Sequence, residues 1–305
     1  MESSEKPDQS AYDDQLDLLA LQRKIEQSPS YKLASEDIDF LNRDSMRPVR
    51  MQLELLKPEM GLLEQRVHST IVAFGGTQIV ERHVAEQRLA AAQEALSQAP
   101  DNPILQRTMA RAERVLAKSH YYDAAREFGR LVSASCQLNG ECDYVIVTGG
   151  GPGIMEAANR GAFDVGGKSA GFNITLPSEQ FPNPYITPEL CCQFRYFALR
   201  KMHFLLRAKA LVVFPGGFGT LDELTDALTL IQTRRMAPIP IIMFGREYWD
   251  QVIDFEFLAD EGVIDDAHLR IIQYAETPQE AWDQIANFHG HAPDSSLGEE
   301  RRWAD

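Results

Sequence analysis

The residues best equipped for chemistry lie in three short stretches. "PGGFGTLDE" (215–223) sets Gly216, Gly217, Gly219 and Thr220 ahead of Glu223, "TGGGPG" (148–153) carries Gly150 and Gly151, and "LRK" (199–201) supplies Arg200 and Lys201. Glycines let a ligand approach main-chain N–H groups closely, and a helix start adds roughly half a positive charge, so each turn can cradle an anion, phosphate first among them. A single glycine-rich turn is more simply a bend from strand to helix. Two of them on one edge bring the cradle level with that plainer account or ahead of it.

The charged residues admit two readings each. Thr220 and Glu223 have the S/T-x-x-E spacing of a capping box, in which Glu223 bonds back to the Thr220 N–H. The other reading aims Glu223 into the crevice as a carboxylate available for chemistry. A negative group beside an anion site is unfavourable unless something uses it. Arg200 and Lys201 are either solvated helix residues or the cations that offset this repulsion, arginine being able to orient a carboxylate or phosphate bidentately. Glu156 either complements a helix dipole or accepts from sugar hydroxyls. In "FRYF" (194–197) core packing outweighs base stacking.

Other motifs fail on context. Neither glycine turn satisfies GxGxxG, and the strand "AGFNITLP" does not end in the acid that holds a ribose in a dinucleotide fold. "GKS" (167–169) lacks the upstream glycine of a P-loop, Ala162 standing there, and leads into a strand. "GKSAG" has the strand–helix order of a nucleophile elbow reversed, which leaves Ser169 as a turn residue. His289 and His291 have no cysteine near them, and the four cysteines form no CxxC pair. No metal or cofactor is expected.

These residues need elements to hold them. Helical periodicity without a strand signal runs through residues 1–66, an N-terminal helical extension. "STIVAFGG" (69–76) then reads as a buried strand ending at Gly75 and Gly76. Residues 80–118 form two helical stretches separated by "APDNP", an inserted hairpin. From Tyr121 strands and helices alternate: strands at "DYVIVT", "SAGFNITLP", "ALVVF", "IPIIMF" and "LRIIQYAE", helices between them, including a single one over "REYWDQVIDFEFLADEG". Such alternation requires crossovers, hence an α/β doubly wound, mostly parallel sheet with helices on both faces. All strands then end on one edge, where the turn at Gly75, the 149–153 turn, the 215–219 turn and the helix bearing Arg200 should meet, with Gly76 among the phosphate-site residues. The fold-bearing domain spans 67–290, and 291–305 reads as a flexible tail.

With 305 residues, 44% of them hydrophobic, the chain can bury one large core. Acidic residues outnumber basic ones 45 to 30, a formal charge of −15, which argues against nucleic acid or an anionic membrane as partner. No apolar run approaches the roughly 20 residues needed to span a bilayer, and the cysteine usage fits a reducing cytoplasm.

Taken together, "PGGFGTLDE", "LRKM" (199–202) and "GGGPGIMEAANRG" (149–161) resemble the LONELY GUY family, whose members hydrolyse cytokinin riboside 5′-monophosphates and were long labelled "possible lysine decarboxylase". The resemblance covers roughly 69–290. It implies a Rossmann-like fold, a homodimer or higher homo-oligomer, catalytic roles for Arg200 and Glu223, and a phosphate site at 216–220. The departures are the N-terminal extension, the 80–118 hairpin and the lack of a histidine just before "RK". Nothing in the sequence argues for a pyridoxal phosphate lysine. The expected reaction breaks the N-glycosidic bond of a nucleoside 5′-monophosphate, AMP or an N6-substituted AMP, to free base and ribose 5-phosphate. A nucleotide-binding sensor or carrier using the same cradle without turnover is the alternative.

Overall fold

The computed structural model describes residues 9–137, 142–177 and 181–290. The chain divides at Glu54/Leu55 into two compact units, part-way along a helix. In the first, α1 (Gln9–Glu26) and the short α2 (Ile38–Leu41) precede α3 (Arg47–Glu64). Asp37 caps α2 by accepting from the Phe40 N–H at 3.1 Å, and Arg50 donates to the carbonyls of Leu41 and Arg43. Apolar Leu18, Leu19, Leu21 and Ile25 stay exposed on α1.

The second unit carries the sheet. Its elements are β1 (Thr70–Phe74), α4 (Arg82–Gln98), α5 (Pro103–Ala117), α6 (His120–Cys136), β2 (Val145–Thr148), α7 (Ile154–Asp164), β3 (Ser169–Ile174), β4 (Cys191–Phe194), α8 (Phe197–Leu206) and β5 (Ala208–Val213). There follow α9 (Phe218–Gln232), β6 (Ile241–Phe244), α10 (Arg246–Trp249), α11 (Phe255–Asp260), α12 (Asp266–Leu269), β7 (Ile272–Ala275) and α13 (Pro278–Phe288). The seven strands are parallel in the order β4-β3-β2-β1-β5-β6-β7. The order reverses between β1 and β5, which are in direct register (Val72↔Leu211), and the crevice for a ligand in such a sheet opens at that reversal. The doubly wound parallel sheet read from the alternation, and the Rossmann-like fold that the resemblance implies, are what is found.

Both faces are covered, which is why the strands are near-continuous apolar runs instead of alternating ones. Ile71 and Ala73 of β1 pack towards α6, α7 and α13, while Val72 and Phe74 pack towards α8, α9 and Leu62 of α3. Each such fully buried side chain contributes about 1.5–3 kcal/mol.

Three local readings are corrected. The strand β4 lies where a proline-bearing loop was expected. It is an edge strand with only Phe194 buried, so it shows no hydrophobic alternation. The single helix expected at 246–262 is broken into α10 and α11, because Trp249 turns into the core and Asp254 caps a new start by accepting from the Phe257 N–H at 2.9 Å. Ser169 opens β3, where its hydroxyl donates to the Tyr185 carbonyl at 3.2 Å. The tail expected at 291–305 lies outside the described residues.

Candidate active site

The glycine turns meet through Gly76. Its N–H donates to the Pro215 carbonyl at 2.9 Å, and its carbonyl accepts from the Ile154 N–H at 3.2 Å. One residue after β1 thus fastens the turns that follow β5 and β2. Gly153 must be glycine here: its φ is +74°, and a Cβ would stand 2.5 Å from the Gly76 carbonyl oxygen.

The turn after β2 is locked from below. The Gly150 N–H donates to Thr148 Oγ1 at 3.0 Å, and Thr148 Oγ1 donates to Asn159 Oδ1 at 2.7 Å. The Asn183 amide reaches Asn159 Oδ1 at 3.0 Å and the Gly151 carbonyl at 3.2 Å, while the Asn183 N–H donates to the Gly150 carbonyl at 2.8 Å. All three side chains are buried, where an unmatched polar group costs about 1–3 kcal/mol. Sequence reasoning missed this lock. Its only trace is an asparagine inside an apolar helix face and another between two prolines.

The turn after β5 forms the start of α9, with Gly217 as the N-cap and no side chain capping it. Thr220 is therefore the third residue of the helix, and the expected capping box with Glu223 does not form. Instead Thr220 is buried over Gly216, where a Cβ would stand 2.1 Å from its Oγ1. A Cβ at Gly217 or Gly219 would meet nothing within 4 Å, so the helix start faces open space. An uncapped helix start of this kind is ready for an anion.

Glu223, one turn into α9, is 8% exposed. Its Oε1 stands 4.0 Å from Nη1 of Arg200, which α8 brings in from the other side of the crevice. Arg200 is anchored by its Nε, which donates to the Phe172 carbonyl at 2.7 Å, and by Nη2, 3.5 Å from the Gly149 carbonyl. Burial pushes the Glu223 carboxyl up to about 7, with Arg200 and Lys201 pulling the other way. Burial likewise draws the Arg200 guanidinium below its ordinary value, opposed by Glu223. An acid poised near neutrality beside an uncapped helix start suits proton transfer.

The remaining expected residues divide. Lys201 pairs with Asp222 at 2.7 Å, next to Glu223 in sequence but on the exposed side of α9. Glu156, in the first turn of α7, accepts a hydrogen bond from Tyr122 of α6 at 2.8 Å. Of "FRYF", Phe194 packs in the core against Phe172, as the plainer reading had it, while Phe197 stays exposed. Among the described residues no cluster of three or more histidine, cysteine or acidic side chains could hold a metal, and no helix is long and apolar enough to cross a membrane.

The fold and site define an α/β protein with two glycine turns at its topological switch point and a buried glutamate paired with a half-buried arginine beside them. Residues 155–285 match the family described as "Possible lysine decarboxylase". The chain is 26% identical over 176 residues to the probable cytokinin riboside 5′-monophosphate phosphoribohydrolase LOGL3 of Oryza sativa subsp. japonica, covering 56% of this chain and 78% of that one. To the cytokinin riboside 5′-monophosphate phosphoribohydrolase LOG3 of Arabidopsis thaliana it is 28% identical over 177 residues, covering 56% and 77%. These matches bear out the resemblance to the LONELY GUY family drawn from the motifs. Among solved structures, a structural-genomics target titled TM1055 superposes at a TM-score of 0.43 with 20% identity over 72% of this chain and 99% of its own. The Moco carrier protein from Chlamydomonas reinhardtii gives 0.35 at 20% identity over 55% and 89%.

Proposed function

We propose that the protein hydrolyses the N-glycosidic bond of a nucleoside 5′-monophosphate, AMP or a cytokinin-type N6-substituted AMP, to free base and ribose 5-phosphate. The observation that carries this reading is the buried Glu223 carboxyl beside an uncapped helix start, 4.0 Å from Arg200. The names of the plant relatives support it.

In this reading the N–H groups around Gly216, Gly217, Gly219 and Thr220 hold the 5′-phosphate, and Gly76, Gly150 and Gly151 shape the floor. The distant phosphate contact then positions C1′ against the acid. As the C1′–N bond lengthens, its electron pair leaves with the base and the ribose acquires oxocarbenium character, which the Glu223 carboxylate stabilises. Water adds to C1′, its proton passing to Glu223, and the departing base takes up a proton in turn. Arg200 keeps Glu223 oriented and enough of it ionised for this work. No step calls for a cofactor.

The wider organisation belongs to the same proposal: an N-terminal helical extension (1–66), a nucleotide-binding catalytic domain (67–290) with the 80–118 hairpin inserted, and a cytoplasmic homodimer or higher homo-oligomer. The test is incubation with a panel of nucleoside 5′-monophosphates, with chromatographic detection of free base. Release from at least one of them, abolished by Glu223→Gln, is expected. Tight binding without release from any would make the protein a nucleotide sensor or carrier instead.

A further inference from the structure

The inserted hairpin brings three cations to the cradle. Arg111, Arg114 and Lys118 recur at i, i+3 and i+7 along α5 and its C-cap, so they share one face of the helix. With residues 76–79, 215–217 and Tyr248, they line a cavity of about 730 Å³. No carboxylate lines it, in a chain whose formal charge is −15. Among the described residues, none of the three cations forms an ion pair. Gly216 and Gly217 are the wall this cavity shares with the phosphate cradle, while Glu223 and Arg200 are absent from its lining.

The hairpin that carries the cations is tied to the sheet. Arg88 of α4 donates to Gln78 at 3.3 Å, and Glu81 at the foot of the hairpin pairs with Arg160 of α7. Lys118 Nζ sits 5.9 Å over the Tyr248 ring, and the Tyr248 hydroxyl donates to the Gly216 carbonyl at 2.6 Å. Lys118 and the cradle therefore contact one side chain.

Resting on the nucleotide reading of the cradle, we propose that this cavity receives the second and third phosphates of a nucleoside 5′-di- or triphosphate whose first phosphate occupies the start of α9. A monophosphate leaves the three cations without a partner. A polyphosphate supplies one, and its added negative charges meet no acidic side chain in the lining.

Isothermal titration of the full chain, without divalent cations, would compare AMP, ADP, ATP and inorganic pyrophosphate on wild type and Arg111→Ala/Arg114→Ala. Both arginines are exposed, and an unchanged Tm will show that the variant is folded. ADP and ATP should bind at least about fivefold tighter than AMP, the scale of a few exposed charge pairs, with an advantage that shrinks as salt rises. The double variant should erase that advantage and leave AMP unchanged. Equal wild-type affinities for AMP and ADP, or an advantage that survives the double variant, would overturn the proposal with the cradle reading intact. Failure of AMP to bind at all would count against the cradle, and pyrophosphate then decides the cavity. Pyrophosphate binding sensitive to the variant keeps an anion site there, and no binding removes it.

Discussion

Arg200 and Glu223 face each other across the crevice at 4.0 Å, each carried by a different helix, the acid buried and the arginine half-buried. Nearer, the arginine would clamp the acid as a fully ionised pair. At this separation it offsets only part of the burial penalty, and the carboxyl rests close to neutrality.

Replacing Glu223 by glutamine keeps the shape and removes the base. Base release should fall by about 10²–10⁴-fold, the usual contribution of a positioned acid–base group, with substrate binding largely kept. A loss of less than threefold in kcat would remove Glu223 from the chemistry.

The same carboxyl sets a pH dependence of stability. Its folded value, about 7, lies above its ordinary 4.5, so the folded state binds the proton more tightly. The stability it contributes is complete below about 4.5 and is lost as pH rises through about 7, by about 3 kcal/mol at most. Glu223→Gln should therefore flatten the decline of Tm between those pH values. Parallel Tm profiles for variant and wild type would show that burial does not perturb this acid.

In the proposed reaction the carboxylate form of Glu223 acts, so wild-type kcat should drop on the acid side with an apparent pKa near 7. Arg200→Met removes the nearest positive charge, and the acid limb should move to higher pH while kcat falls at least about tenfold. Arg200→Lys restores charge without the fork that reaches both Phe172 and Gly149, so it should recover the pH profile better than the rate. Identical pH profiles in wild type and Arg200→Met would deny the coupling.

Two glycines separate folding from binding. Gly217 has extended backbone and open space around it, so Gly217→Ala should leave Tm almost unchanged and raise KM by crowding the helix start. Gly153→Ala forces a Cβ onto the Gly76 carbonyl at positive φ and should destabilise the fold by about 2 kcal/mol or more. Denaturant titration beside KM values distinguishes the two. Equal effects on Tm would contradict the geometry.

Much of the sheet was legible because parallel strands buried on both faces appear as unbroken apolar runs, as in "ALVVF", and β1, β2, β5 and β6 each run into glycine within two or three residues. The edge strand β4 escaped because only Phe194 is buried in it. At the site, the convergence of the turn at Gly75, the two glycine-rich turns and Arg200 followed from the rule that all strands end on one edge. The Thr220/Glu223 spacing could not decide between cap and acid. That depended on where α9 begins, and with Gly217 as the N-cap Thr220 lies three residues too deep to cap. The lock by Asn159 and Asn183 joins residues 24 apart in sequence, and such a contact leaves no local periodicity to read.

Gly76 joins the strand ends like a shared hinge pin, its two main-chain groups each claimed by a different neighbour. Neither glycine bend can shift without dragging this one residue, and through it the opposite bend. Whatever draws on one lip of the crevice thus pulls on the residue that also bonds the other.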